Sequence, residues 1–350
     1  MAEYDDYEDD FEEEDVTPPV TPLQPPPIDA AVANAHTPEN GPNSDDSPTP
    51  GYSRSPSCNF PWMLVTLDEL DIRERLAAGA MGAVHSGFYG NRPVAIKTLH
   101  DVSSKALASV EAELLVHASL KGPRTVELIA ANLVPPQCCI VMERCECSLF
   151  EKLHRRPDEL SRRQSMSIAI QVAEGMRHLH SRRPPVVHRD LKSHNVLLDA
   201  NGDAKLCDFG LVNTREATAG TPNYMAPELF LSKPFGNPVD VFAFGVLLNE
   251  IWAREVPWDG YQPMDIRQKV TAGERPRTPR TMPSACEGLV RNLWHAKAAV
   301  RPTFAEALPQ LESLLETLPG DRLNSSLGRM PMDALDSLDS LAGLSLKPRR

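Results

Sequence analysis

The stretch VVHRDLKSHNVLLDANGDAKLCDFG, from Val186 to Gly210, gathers His188, Arg189, Asp190, Lys192, Asn195 and Asp208 between runs of Val and Leu that favour burial. The carboxylates of Asp190 and Asp208, the amide of Asn195 and the cations of Arg189 and Lys192 set opposite charges and hydrogen-bonding groups within one short span. Taken singly, each of these residues reads as a charge on a surface loop. Taken together, between apolar segments that fix their spacing, they read as a site that handles charge.

Such a site needs a rigid frame. VV and VLL are predicted as short buried strands, with LC beginning the next, so that the polar groups fall in the loops between. Upstream, LDELDIRERLAAGAMGAVHSGFYGNRPVAIKTL alternates short apolar runs with Gly, as a strand–turn–strand series does. SSKALASVEAELLVHASL follows, with Leu107, Val110, Leu114 and Leu120 at helical spacing. TVELIAANL and CCIVMER are predicted as two further strands. From about residue 148 the pattern turns helical, most strongly in RRQSMSIAIQVAEGMRHLHS and VDVFAFGVLLNEIWA. The implied fold is α+β and bilobal: a β-rich small lobe over about 62–143, a mainly helical large lobe over about 144–317, and a cleft between them. Residues 1–61 and 318–350 are predicted as tails, the first acidic and then rich in Pro, Ser and Thr, a composition that favours neither helix nor strand.

The bulk numbers agree with a packed domain carrying an acidic tail. Apolar residues make up 41% of the 350, enough for a sizeable core. Ten of the 48 acids lie in residues 1–15, which leaves 38 against 36 Lys and Arg, so the body is near neutral. The net charge of −12 argues against broad binding to nucleic acid or anionic membrane. Seven Cys, an odd number without zinc spacing, fit reduced thiols in an intracellular protein, cytoplasmic or nuclear. The acidic N-terminus has no signal-peptide pattern, and the longest apolar stretch is interrupted by Asp240, Asn249 and Glu250, so it reads as a core helix and not a membrane span.

HRDLKSHN fixes six of eight positions of a known order, a chance match on the order of one in ten million at a given start. DFG follows eighteen residues after Asp190. AAGAMGAV and VAIK lie upstream, and GTPNYMAPE, DVFAFG and RPTF lie downstream in the same order. Over about residues 65–315 the chain resembles the eukaryotic protein kinase family. HRDLKSHN and GTPNYMAPE look like its serine/threonine class, and EGMRHLHS with VVHRDLKSHNVLL looks like its tyrosine-kinase-like branch.

The resemblance implies a Ser/Thr protein kinase that uses ATP and Mg2+ and acts on protein substrates. Phosphoryl transfer of this kind needs positioning and charge neutralisation more than covalent chemistry. Lys97 would neutralise the α- and β-phosphates and needs a helix Glu as partner. Glu113 is favoured by its spacing before Pro123; Glu111 competes because Leu115 would then follow one turn on, where Glu113 is followed by His117. Asp208 and Asn195 would hold Mg2+, Asp190 would accept the substrate hydroxyl proton, and Lys192 would sit near the γ-phosphate. Lys192 with Thr221 resembles serine/threonine kinases. The nucleotide would be lined by Leu76, Ala77, Ala78, Gly79, Ala80, Met81, Gly82, Ala83 and Val84, with Lys97, Met142 at the gatekeeper place and Glu143 beginning the hinge. The Gly-rich turn departs from the family's pattern, since Ala77 stands at its first Gly. Glu228 with Arg301 resembles a buried ion pair, and Asp240 a carboxylate that receives backbone N–H groups of the catalytic loop. Cys207 reads as a small buried residue before DFG.

A competing reading is a partner-binding pseudokinase, against which stand Lys97, Asp190 and Asp208. Arg189 calls for an anion, supplied by phosphorylated Thr214 or Thr218 or, without modification, by Glu216. The acidic tail reads as a solvated segment or as a docking segment. The C-terminal Leu335, Leu338, Leu341, Leu344 and Leu346 form an apolar stripe predicted to dock on the large lobe, on an export receptor or on another partner.

Overall fold

A computed structural model describes residues 63–79, 82–156, 160–212 and 219–319. Both tails, with the Leu stripe and the acidic run, lie outside these residues, as do Ala80, Met81, Thr214, Glu216 and Thr218. The architecture is α+β, as expected.

The small lobe is a six-stranded sheet in the order β1 (Met63–Leu64), β5 (Leu128–Asn132), β6 (Cys139–Glu143), β4 (Arg92–Leu99), β3 (Gly82–Tyr89), β2 (Leu70–Gly79). Alternation along β4 puts Val94 and Ile96 into a core with Ala130, Cys139 and Val141. The helix α1 (Ser104–Ser119) begins where Ser103 accepts the Ala106 N–H. Its Val110 and Leu114 pack on Leu99, Ala131 and Ile140 at the opposite face. β2 and β3 pair antiparallel, with Ala77 opposite Val84 and Gly79 opposite Gly82. A Cβ at Gly82 would stand 1.8 Å from the Thr98 carbonyl oxygen of β4, whereas one at Gly79 would meet nothing within 4 Å. Gly82→Ala is therefore expected to lower unfolding stability by about 1–3 kcal/mol through displacement of β3. Gly79→Ala is expected to leave it nearly unchanged, a contrast readable from two melting curves.

The large lobe is built around α5 (Pro238–Ala253), buried along most of its length. α3 (Arg162–His180) starts in a reciprocal cap between Ser161 and Gln164, and α8 (Phe304–Thr317) in one between Thr303 and Glu306. Both pack into one core with α5 and α7 (Ser284–Leu293). The short α2 (Leu149–His154), α4 (Pro227–Phe230) and α6 (Pro263–Thr271) complete the helices used below. The Arg301 guanidinium forks onto the Glu228 carboxylate at 2.6 and 2.8 Å inside this lobe. No helix among the described residues is long and apolar enough to cross a membrane.

A second sheet, β7 (Cys147–Ser148), β8 (Val196–Leu198) and β9 (Ala204–Leu206), carries the polar loops. Two strand boundaries differ from expectation. Val186–Val187 is not a strand: the Val186 N–H goes to Leu179 at the end of α3, and the next donors, His188 and Arg189, go to the Asp240 carboxylate. These bonds leave no run of donors for a ladder. Leu206 closes β9 and does not open a strand, and Cys207 lies just past it, its N–H donating to the Asn195 carbonyl beside the Val196–Leu206 pair.

Two of the ties between the lobes run to β9. Val126 donates to the Leu206 carbonyl and Leu206 donates to Arg124, so the chain leading into β5 rides on β9. Glu143 at the end of β6 pairs with Lys205 of β9 at 3.0 Å.

Candidate active site

Asp240, at the start of α5, fixes the frame. Its Oδ2 accepts the His188 N–H at 2.8 Å and the His180 Nε2–H at 2.8 Å, and its Oδ1 accepts the Arg189 N–H at 2.8 Å. A wholly buried carboxylate requires such partners, and three donors supply them. Arg189 has φ 68° and Asp208 φ 64°, left-handed backbone in residues that carry a Cβ. Each costs on the order of 1–2 kcal/mol, and the Asp240 contacts hold the first in place.

Asp190 is the centre of the polar set. Lys192 Nζ lies 2.6 Å from its Oδ2 and donates to Thr221 Oγ1 at 2.7 Å. The Thr221 hydroxyl and N–H donate to Asp190 Oδ1 at 2.7 and 3.1 Å. Asn195 Nδ2 donates to the Asp190 carbonyl at 2.8 Å and to its Oδ2 at 3.0 Å. The carboxylate is thus held from three directions while remaining half-buried at the cleft.

Because Asn195 spends its amide nitrogen on Asp190, its Oδ1 is left for another donor or a cation. Asp208 is exposed, and among the described residues its Oδ1 receives a single long hydrogen bond, 3.4 Å, from the Gly210 N–H. Two oxygen donors with spare lone pairs fit a hard divalent cation such as Mg2+.

Lys97 sits in β4, opposite Val84 of β3 and Ile140 of β6. Glu113 projects from α1 so that its carboxylate lies beside Gly210 of the DFG turn. Burial pushes the Glu113 pKa up; the Lys97 charge works against this and the Asp208 charge adds to it. Lys97 and Glu113 attract through space, without a direct ion pair among the described contacts. Glu111 points elsewhere, into an apolar groove with Leu64, Leu107, Leu133 and Val134. One turn beyond Glu113, His117 is buried: its Nε2–H donates to the Val126 carbonyl at 2.6 Å, and its ring lies 5.0 Å from that of Phe209. Burial lowers the His117 pKa, so the ring serves as a neutral packing plate with one hydrogen bond.

The nucleotide-lining candidates divide by position. Leu76, Ala77, Ala78 and Gly79 lie on β2, and Gly82, Ala83 and Val84 on β3; Ala80 and Met81 at the tip are outside the described residues. Met142 is half-buried on β6 against the α1-side core. The Glu143 side chain is taken by Lys205 and by the Glu127 N–H at 3.2 Å, so only its backbone is left to face a ligand. Burial raises the Cys145 thiol to about 12, and burial raises Cys207 as well.

One cluster beside the site was not foreseen. Glu250, wholly buried on α5, accepts from Ser193 Oγ at 2.7 Å, the Tyr224 hydroxyl at 2.8 Å and His154 Nε2–H at 3.0 Å. The available signal was an acid inside an otherwise apolar helix. The Arg189 guanidinium lies 4.5 Å over the Phe235 ring. Thr214, Glu216 and Thr218, its expected anionic partners, are outside the described residues.

Comparison with known proteins adds an independent line. A family model described as protein tyrosine and serine/threonine kinase matches residues 70–311. A probable serine/threonine-protein kinase of Dictyostelium discoideum is 33% identical over 261 residues, 71% of this chain and 28% of the relative. Serine/threonine-protein kinase CTR1 of Arabidopsis thaliana is 32% identical over 309 residues, covering 85% of this chain and 36% of its own. The probable serine/threonine-protein kinase SIS8 of the same plant is 32% identical over 277 residues, 76% and 26%. The chain spans about a quarter to a third of the length of these curated relatives.

Proposed function

Because the chain belongs to the protein tyrosine and serine/threonine kinase family, we propose that it transfers the γ-phosphoryl group of ATP to Ser and Thr hydroxyls of protein substrates. The observation that carries this reading is the Asp190 carboxylate held by Lys192, Thr221 and Asn195. In that pose Asp190 orients an incoming hydroxyl and accepts its proton. Lys192, bridging Asp190 and Thr221, keeps a positive charge beside the transferring group. Lys97, with Glu113 of the same lobe contributing a neighbouring negative charge, neutralises the inner phosphates, and β2 and β3 lie over them. Asn195 and Asp208 would hold Mg2+, which supplies neutralisation of the phosphate charge. Met142 closes the back of the nucleotide pocket and the backbone after it lines the adenine edge.

The Lys192–Thr221 bridge supports a Ser/Thr acceptor. Three peptides identical except for Ser, Thr or Tyr at the acceptor position test this. Ser or Thr peptides are expected to be labelled at least about ten-fold faster than the Tyr peptide, a difference of about 1.4 kcal/mol in transition-state binding. Preferential labelling of the Tyr peptide would overturn the acceptor assignment.

A further inference from the structure

His194 stands on the catalytic loop between Ser193 and Asn195 and is exposed. Its ring stacks on Phe150 of α2, with centroids 3.8 Å apart and planes 21° from parallel. The His154 ring lies 4.8 Å from the same phenyl ring. The Arg155 guanidinium, exposed at the end of α2, sits 5.3 Å over it. Close to the phosphoacceptor position, the loop therefore presents a flat aromatic face rimmed by a fixed positive charge.

The nearby carboxylates do not cancel that charge. Glu250 is wholly buried and occupied by Ser193, Tyr224 and His154. Glu151 is committed to the α2 cap, where it accepts the Ser148 N–H and hydroxyl at 3.0 and 3.3 Å. Arg156 donates to the backbone carbonyl of exposed Glu146 at 3.2 Å, which adds a second cation at this edge. On this floor the Glu250 and Glu151 carboxylates are already taken, and a substrate carboxylate finds Arg155. Arg–carboxylate bonds are charge-assisted and frequently two-pronged, and aromatic plates accept further rings by stacking.

We propose that the His194–Phe150–Arg155 surface is a substrate subsite that selects acidic segments bearing aromatic residues beside the acceptor Ser or Thr, with Arg155 reading the carboxylates. The proposal rests on the kinase reading above and names its substrate class. The chain itself contains such a sequence: ten acids with Tyr4, Tyr7 and Phe11 within residues 1–15, followed by Thr17 and Thr21.

The test uses the full chain and three synthetic peptides. One has the sequence of residues 3–24; a second replaces its acids by Asn and Gln; a third replaces them by Lys. For the wild-type enzyme, kcat/KM for the acidic peptide is expected to exceed that for the neutral one about ten-fold, expressed in KM and not in kcat, as a charge-assisted contact to substrate implies. The advantage should shrink with added salt. Arg155→Glu, an exposed change at a helix end, is expected to bring the acidic-to-neutral ratio to about one or below and to raise use of the Lys peptide. Equal KM values in the wild type, or a preference that Arg155→Glu leaves intact, would overturn the subsite. A generic basic protein is run alongside. If it is labelled but no peptide preference appears, the subsite fails and the kinase reading stands. If nothing is labelled, the kinase reading itself fails.

Discussion

Asp190→Asn is expected to reduce phosphoryl transfer about a thousand-fold or more while changing ATP affinity less than about two-fold. The size follows from the loss of a positioned proton acceptor, worth about a hundred- to ten-thousand-fold. It is aggravated locally. Asn keeps the shape, but its amide must turn either against Lys192 Nζ, now 2.6 Å from Oδ2, or against the Thr221 donors on Oδ1. One oxygen cannot satisfy all the donors that two accept, so the Lys192–Thr221 bridge loosens as well. The nucleotide contacts proposed for β2, β3 and β4 do not involve Asp190, so binding of ATP measured by calorimetry should be retained. Wild-type turnover in the purified variant would sink the assignment of this loop.

The second large effect concerns stability. Arg301→Ala should destabilise the large lobe by about 3–5 kcal/mol, because it leaves the Glu228 carboxylate buried without its partner. Arg301 also donates to the carbonyls of Pro238 at 2.8 Å and His295 at 2.8 Å, which lose their donors too. For a domain of this size that corresponds to a melting temperature lower by about 10 °C. Replacing both members, Glu228→Gln with Arg301→Met, is expected to recover part of the loss, since no uncompensated charge then remains. A single variant that melted within about 2 °C of the wild type would show the pair to be solvated.

Much of this was legible in the sequence because the periodicities are strong. α5 reads as a buried helix from its composition, and Asp240 within it signals a carboxylate with fixed donors. The choice between Glu111 and Glu113 was open from the sequence, since spacing before Pro123 favours Glu113 while Leu115, one turn on, favours Glu111. Rotation about the α1 axis separates them: Glu113 faces Gly210 while Glu111 faces Leu64 and Leu133. His117 counted against Glu113 because a polar residue looked unfit for the packed turn beyond it. In the fold its ring packs on Phe209 and its one N–H reaches the Val126 carbonyl, a compensation nine residues away that no local pattern announces. Val186 and Val187 looked like a strand because β-branched residues favour one, but the backbone donors around them are claimed by α3 and by Asp240, 52 residues downstream of His188. The donors of the Glu250 cluster were hidden for the same reason, although the acid itself stands out in an apolar helix. Its donors come from α2, the catalytic loop and the segment after Thr221, three regions joined only by folding.

The two ties to β9 define a line, and a line constrains motion. One end is at Val126, bonded to Leu206 and to His117; the other is at Glu143, clamped to Lys205. Both anchors act on neighbouring residues of β9, so the small lobe is held most firmly along that strand. The last turn of α1 and the end of β6 lie beside these bonds, while the first turn of α1 lies away from them. A hinge of this kind is expected to let the outer part of the small lobe turn further than the part seated on β9.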